Sequence, residues 1–282
     1  MNKVLSTLLP LVTFLSLILV SCEKEGSRPG SHELSVEEGA LASEISSDIF
    51  LELNGYMSGS KDLFASYEES FRIMDAENTI SSCIGFNITP RDNTWPKTMT
   101  ITFGEGCKAG EVTRKGTMIA VLSAPFENTG SRMTLTFDNF EINDRKIQGT
   151  QIITNNGPSA AGTITYTHEI PSLQISSGEK TINFSSTNTI EWIEGSSSAA
   201  PADDAFAIEG TSRGVNSAGE AFSAEIVTPL IRKVACSYIV AGSSRIKSGD
   251  KEITIDYGAG DCDDKAVLNS SGEIKEIRLA VK

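Results

Sequence analysis

The stretch KTMTITFGEGC, residues 97–107, decides the fold class of this chain, and it recurs with a single insertion as KEITIDYGAGDC at residues 251–262. Each copy alternates polar and apolar residues with a period of two, which is typical of a β-strand with one buried face. Both copies end in a glycine-rich step followed by a cysteine. The repeat therefore predicts two similar β-hairpins, one near each end of a strand-rich region.

The chain around these copies predicts one antiparallel β domain over residues 78–282. Further alternating runs, at Arg132–Phe137, Gly162–Tyr166 and Lys180–Phe184, are separated by Asn-, Gly- and Ser-rich turns. Because no long helical pattern intervenes, we expect antiparallel pairing rather than parallel crossovers. A curved meander, a sandwich and a half-barrel all fit this pattern. The polar stretch GSSSAAPADD, residues 195–204, is predicted to be an exposed loop.

A helical segment is predicted ahead of the strands, over residues 34–77. Ser35 and Glu38 have the spacing of a capping box, and Gly55 predicts the C-terminal end of the first helix. A second helix is predicted over residues 61–74. The apolar positions, which recur with helical spacing and predict core packing, are Leu41, Ile45, Ile49 and Leu53 in the first helix and Leu63, Tyr67, Phe71 and Met74 in the second.

The first residues of the chain, 1–21, have the form of an export signal peptide. Lys3 precedes an apolar stretch that is short for a membrane span and is interrupted by Pro10. The sequence LVSC, residues 19–22, resembles the lipobox of bacterial lipoproteins, which implies cleavage before Cys22 and acylation of its thiol. Residues 22–33 carry charge, Gly and Pro without apolar periodicity, so they are predicted to form a tether.

Lipidation implies a membrane partner, since two or more acyl chains anchor a protein almost irreversibly. Glu23 stands where an aspartate would resemble an inner-membrane retention signal, so the outer membrane of the cell envelope is the predicted location, with either the periplasmic or the external side compatible. The chain has 24 basic and 37 acidic residues, a net charge of −13. This balance argues against nucleic acid as a partner and against electrostatic adhesion to anionic lipid.

Four of the five cysteines are left once Cys22 is acylated. An even number in an exported protein permits two disulfides, and opposed positions on antiparallel strands lie within bridging range. A metal site is disfavoured because no CxxC pair is present. The predicted bridges, each centred on a turn residue, are Cys83–Cys107 about Trp95 and Cys236–Cys262 about Gly249.

Together these features resemble a set of uncharacterised envelope lipoproteins of Gram-negative bacteria, which carry a lipobox, an N-terminal helix and "ITIDFG-G-C" segments in a strand-rich chain. Phe140–Thr150 (FEINDRKIQGT) is similar to the "N-G-K-I-x-G-T" hairpin of that set, with Asp144–Arg145 where a turn glycine is typical. The resemblance covers most of the mature chain, and it implies a lipid-anchored β protein without implying an activity.

The chain offers few residues for catalysis, and no catalytic residue or cofactor is predicted. It has two histidines: His32 lies in the tether, and the alternation around His168 predicts an imidazole on the polar face of a strand. No phosphate loop, dinucleotide fingerprint or HExxH motif occurs. Trp95 and Trp192 are predicted to pack, with a sugar-binding platform as the alternative.

An acidic cluster beside Cys262 is the weak candidate for a metal site. Carboxylate oxygens suit calcium, but the EF-hand loop pattern is absent and the first copy of the repeat lacks these acids, so a solvated turn is favoured. The cluster consists of Asp256, Asp261, Asp263 and Asp264.

Three functions fit the sequence. The first is a noncatalytic envelope protein that binds a partner or scaffolds a surface. The second is a carrier or chaperone of a lipidic ligand inside a β half-barrel, which requires an open apolar lining. The third is a carbohydrate-active hydrolase, which requires two carboxylates about 5 to 10 Å apart in a cleft.

Overall fold

The computed structural model of the protein describes residues 31–58, 83–109, 112–198 and 201–279. In these ranges one α-helix is followed by a single antiparallel sheet of 14 strands, which confirms the predicted fold class. Strand order in the sheet follows chain order, except that β3 pairs only with β4, and the sheet does not close on itself. The elements are α1 (Ser31–Ser58), β1 (Gly85–Thr89), β2 (Lys97–Thr102), β3 (Cys107–Ala109), β4 (Val112–Leu122), β5 (Arg132–Ile142), β6 (Arg145–Pro158), β7 (Ile164–Ser177), β8 (Lys180–Glu194), the short 3₁₀ helix Pro201–Asp203, β9 (Ala205–Val215), β10 (Ala221–Lys233), β11 (Ile239–Ser248), β12 (Lys251–Ala259), β13 (Lys265–Ser270) and β14 (Glu273–Arg278).

The two copies of the repeat form β2 and β12, near opposite ends of the sheet. Cys83 is bonded to Cys107 and Cys236 to Cys262, with Cα–Cα distances of 5.5 and 5.8 Å. Each bridge spans a hairpin, β1–β2 or β11–β12, and Gly249 lies in the turn of the second. Two disulfides indicate an oxidising compartment outside the cytoplasm.

The helix α1 packs against one face of the sheet, which we call the inner face; the opposite face is the outer face. Three of the predicted apolar positions of α1, Ile45, Ile49 and Leu53, are buried in the core, and Leu41 is partly buried against it. The helix contacts β8 to β11 near the middle of the sheet. The buried inward-facing residues of the strands complete a single core beneath it.

The bounds of α1 differ from those expected. The helix begins at Ser31, so the last three residues of the predicted tether, 22–33, are helical, and it continues through Gly55 to Ser58. The prediction of a stop at Gly55 was wrong because that residue lies on a helix held in place by its packing, which overrides local propensity. Residues 1–21, Cys22 and the predicted second helix over 61–74 lie outside the described residues.

Ser35 and Glu38 do not form a capping box, since both lie inside α1 and face the sheet. The hydroxyl of Ser35 is 2.9 Å from the hydroxyl of Ser248 and accepts a 2.9 Å hydrogen bond from Asn216 Nδ2. Glu38 accepts hydrogen bonds of 2.6 Å from the backbone N–H and the hydroxyl of Ser217. These polar groups therefore fix the helix to the β9–β10 turn and to β11.

The β5–β6 hairpin turns without the glycine that is typical of such turns. Asn143 and Asp144 both have positive φ, 46° and 61°, and they connect the paired residues Ile142 and Arg145. Positive φ at both central positions is the mark of a type I′ turn, for which asparagine and aspartate are among the tolerant residues. No helix among the described residues is both long and apolar enough to span a membrane.

Candidate functional site

Aromatic side chains fill the inner face of the sheet beneath α1. The Phe50 ring is 5.6 Å from Tyr166 and 5.6 Å from Phe206, measured between ring centroids, and 5.8 Å from the imidazole of His168. Edge-to-face contacts at these distances are favourable for aromatic pairs. The region beneath the helix is thus packed core rather than an open lining.

A row of acidic residues on α1, spaced four apart, meets arginines that come from the sheet. Arg232, whose side chain is only 2% exposed, forms an ion pair with Asp48 and lies 4.0 Å from Glu44 Oε1. Its Nη1 also donates a 3.3 Å hydrogen bond to the carbonyl oxygen of Ser237. A buried charge without a partner is strongly unfavourable, so the burial of the Arg232 guanidinium depends on these helix carboxylates.

The next acid along the row is Glu52. Its Oε2 lies 2.8 Å from Arg114 Nε, and its Oε1 accepts a 2.5 Å hydrogen bond from the Tyr56 hydroxyl. Burial raises the pKa of Glu52, although the nearby charge of Arg114 opposes the rise. Burial and the carboxylate of Glu52 together raise the pKa of Tyr56 well above its usual range. The arrangement ties the C-terminal turns of α1 to β4.

His168 lies on the inner face, so the prediction of a surface imidazole was wrong. The residue is 1% exposed, and its Nε2 lies 3.0 Å from Oε1 of Gln151. A neutral imidazole can share this hydrogen bond with the Gln151 amide. Burial lowers the pKa of His168 to about 4. The imidazole is enclosed by the sheet and Phe50, which makes it part of the core.

The outer face carries an open groove that crosses five strands, β7 to β11. Its volume is about 640 Å³. Bulges in β7 and β10 shift the strand register beside this groove, and bulges bend strands locally. We call this groove the outer groove. Its outward-facing side chains form two cross-strand rows, Glu169–Thr187–Thr211–Glu225–Arg245 and Ser185–Arg213–Ser223–Lys247.

Ion pairs in the outer groove concentrate on its β11 side. Arg245 Nη1 lies 3.8 Å from Glu225 Oε2, and Arg245 Nε lies 3.0 Å from Glu252 Oε1 at the border of the groove. Lys247 is 3.0 Å from the same Glu252 carboxylate. These side chains are half-exposed, so the pairs add little to stability.

The centre and the β7 side of the outer groove lack the ion pairs found on its β11 side, in the described part of the chain. Arg213 Nε donates a 3.3 Å hydrogen bond to the Ser185 hydroxyl, and that hydroxyl donates a 3.4 Å bond to the Arg213 carbonyl oxygen. Among the residues that the structure describes, no carboxylate lies within 4.0 Å of the Arg213 guanidinium and no cation within 4.0 Å of the Glu169 carboxylate. A donor and an acceptor therefore face solvent inside the groove.

The predicted acidic cluster has local structural roles in the structure. Asp256 accepts a 2.9 Å hydrogen bond from Gly258 N, and Asp263 accepts one of 3.0 Å from Lys265 N. Asp264 forms an ion pair with Arg278, and Asp261 is exposed. Within the described ranges, no group of three or more His, Cys, Asp or Glu side chains is placed to hold a metal.

The two tryptophans lie outside the outer groove. Trp192 stacks on Phe206 at 5.5 Å between centroids and donates a 3.2 Å hydrogen bond to Asp204. Asp204 is buried, so the prediction of an exposed loop over 195–204 was wrong at its last residue, and burial raises the pKa of this carboxyl to about 6. Trp95 lies in the β1–β2 connection, where Lys97 Nζ is 5.5 Å from its ring centroid.

The groove residues could not be identified from the sequence. Arg213, Arg245 and Lys247 each appear as ordinary polar positions in alternating strands, and only the register of five strands places them together. Comparison of the chain with family models, curated proteins and solved structures found no match.

Proposed function

We propose that the protein is a noncatalytic binding or scaffolding lipoprotein of the cell envelope, anchored in the outer membrane by acyl chains on Cys22. The lipobox at residues 19–22 supports the anchor. The two disulfides support an exported location, because such bonds persist in oxidising compartments. The net charge of −13 leaves the acyl chains, rather than electrostatic adhesion, as the means of membrane attachment.

The observation that carries the binding role is the difference between the two faces of the sheet. The inner face is covered by α1, and the core beneath it is packed with side chains such as Phe50 and Phe206. A carrier of a lipidic ligand needs an open apolar lining, whereas a scaffold needs a filled core and an exposed surface. The filled inner face and the open outer groove support a surface that presents or binds a partner.

The placement of carboxylates in the outer groove does not favour hydrolysis. Glu169 and Glu225 lie on β7 and β10, three strand spacings apart, or about 14 Å between their backbones. Glu225 and Glu252 are closer, but the Arg245 guanidinium lies between their carboxylates. Glycoside hydrolysis requires two carboxylates flanking the scissile bond, so a binding role is better supported.

The anchor is tested by fractionation of cells that produce the full chain or a variant. Cys22→Ala removes the thiol that would be acylated, and we expect the protein to leave the membrane fraction. Ser21→Ala is the matched control, because alanine keeps a small residue before the cysteine and should leave anchoring unchanged. Membrane retention of Cys22→Ala, or an unmodified amino terminus elsewhere by mass spectrometry, would contradict the proposal.

A second measurement separates a binding protein from a carrier. Native mass spectrometry of the purified full chain should show no lipid beyond the chains attached to Cys22, because α1 occupies the inner face. A stoichiometric, noncovalently bound lipid would favour the carrier instead.

A further inference from the structure

We propose that the outer groove binds an uncharged oligosaccharide. This inference deepens the proposed binding role, on which it rests, by naming the site and the chemical class of the ligand. It depends on the shape of the groove, on its hydrogen-bonding groups and on its charge.

The shape of the outer groove suits an extended chain molecule. It runs from Glu169 on β7 to Arg245 on β11, four strand spacings of an antiparallel sheet, which is about 19 Å. Its volume of about 640 Å³ lies within the range of ligand pockets. Paired strands form its floor, so the groove is held in shape before a ligand arrives, and preorganisation lowers the entropic cost of binding.

The hydrogen-bonding groups of the groove match those of a sugar. Each sugar hydroxyl both donates and accepts, so a site for sugars needs donors and acceptors side by side. Arg213 supplies a guanidinium donor, Glu169 supplies a carboxylate acceptor, and neither has an ion-pair partner within 4.0 Å among the described residues. Hydroxyls, which can do both, line the groove at Ser185, Thr187, Thr211 and Ser223.

The charge of the groove favours a neutral ligand over a polyanion. Its lining has three cations, Arg213, Arg245 and Lys247, and two carboxylates, Glu169 and Glu225. A third carboxylate, that of Glu252 at the border, pairs with Arg245 and Lys247. Three positive and three negative groups leave no net charge. The whole chain carries −13, so its field repels polyanions approaching this face. A hydroxyl-rich ligand without charge is complementary to this surface.

No aromatic side chain lines the outer groove within the part of the chain that the structure describes. Recognition would therefore use hydrogen bonds without ring stacking, and the interaction is expected to be weak for a single binding site. A lipid-anchored protein present in many copies on a membrane gains avidity for a repeating polymer, which offsets weak single-site affinity.

The test uses the purified full-length protein in detergent and affinity electrophoresis through gels that contain one polysaccharide each. The neutral probes are dextran, laminarin, yeast mannan and xylan; the polyanionic probe is polygalacturonate. We expect retardation by at least one neutral probe, with little change between low and high salt, because no net charge is neutralised. Isothermal titration with an oligosaccharide of the retarding polymer then gives the Kd.

Variants locate the site. Arg213→Ala removes the central donor and Glu169→Ala removes the acceptor at the β7 end; we expect each to weaken binding about tenfold, as the loss of one charge-assisted hydrogen bond predicts. Lys180→Ala is the matched control, because Lys180 is exposed at the β7–β8 turn outside the groove and should bind like the wild type. Unchanged circular dichroism spectra show that the variants fold.

Three results would overturn the inference. Binding to none of the neutral probes excludes the ligand class, and retardation by polygalacturonate alone, abolished by salt, shows an anion site instead. Neutral binding that survives both Arg213→Ala and Glu169→Ala places the site elsewhere. The fractionation of Cys22→Ala is independent of all three, so failure of the glycan site leaves the lipid-anchored binding role standing.

Discussion

Acid is expected to destabilise the protein through His168. The imidazole of an unfolded chain takes up a proton near pH 6.5, whereas burial lowers the pKa of the folded residue to about 4. Between these values the unfolded state binds the proton and the folded state does not, so stability falls as the pH falls from about 7 to 4. The difference of 2.5 pKa units corresponds to about 3 kcal/mol of unfolding free energy.

The contribution of His168 is isolated by comparing the wild type with His168→Gln. Glutamine does not take up a proton in this pH range, yet its amide can still hydrogen-bond the Gln151 amide. Asp204, whose pKa is raised to about 6, works in the opposite direction, but it is present in both proteins and cancels in the difference. Urea unfolding at pH 7 and pH 4, followed by tryptophan fluorescence, should therefore show the wild type losing about 3 kcal/mol more than the variant.

Nuclear magnetic resonance gives an independent reading, since the chain contains only two histidines. The imidazole signal that disappears in His168→Gln belongs to His168, and in the wild type it should titrate near pH 4. A titration of His168 near pH 6.5, or parallel pH profiles for wild type and His168→Gln, would refute the reasoning that places a neutral imidazole in the core.

Two further pairs of variants test the packing of α1 against the sheet and the packing within the sheet. Arg232→Met should lower the unfolding free energy by about 3 to 5 kcal/mol, because it removes the buried cation that Asp48 and Glu44 contact. Arg245→Met, at a half-exposed ion pair, should cost less than about 1 kcal/mol. Equal losses in urea unfolding would contradict the buried pair. Gly116→Ala should lower the melting temperature of the protein more than Gly178→Ala does. Both glycines have positive φ, but a Cβ at Gly116 would lie 2.1 Å from Asn139 O, while one at Gly178 meets nothing within 4 Å. Equal melting temperatures for the two variants would count against that close contact.

The sequence predicted the strands well because alternation depends on local geometry alone. A strand with one buried face alternates in any register, so runs such as Lys97–Thr102 could be identified without knowing their partners. The same rule places His168 on the inner face, in step with Tyr166 and Ile170, and the error at this residue came from weighting the polarity of imidazole above its position. Helix bounds failed for a different reason: Ser35 and Glu38 are bound by distant residues of the sheet.

The outer groove required the register of strands far apart in sequence. Arg213 comes beside Ser223 across a short turn, but its neighbour on the other side, Ser185, is 28 residues away. Bulges in β7 and β10 then decide which polar residues share a row. A bulge changes the register by a residue without a signature that alternation reveals, so the site emerges only from the folded sheet.

A shifted pKa can mark a functional site, yet the shifts of Glu52 and His168 follow from burial between α1 and the sheet. Glu52 on α1 and His168 on the inner face both lie between the helix and the sheet, and burial is the first cause of each pKa shift. Groups that act on a ligand must reach it, whereas His168 is enclosed and the Glu52 carboxylate is already bound by Arg114 and Tyr56. Arg213 and Glu169 are open to solvent and have no ion-pair partner within 4.0 Å among the described residues. Accessibility with unused hydrogen-bonding capacity, rather than a shifted pKa, is therefore the criterion on which we propose the outer groove as a binding site.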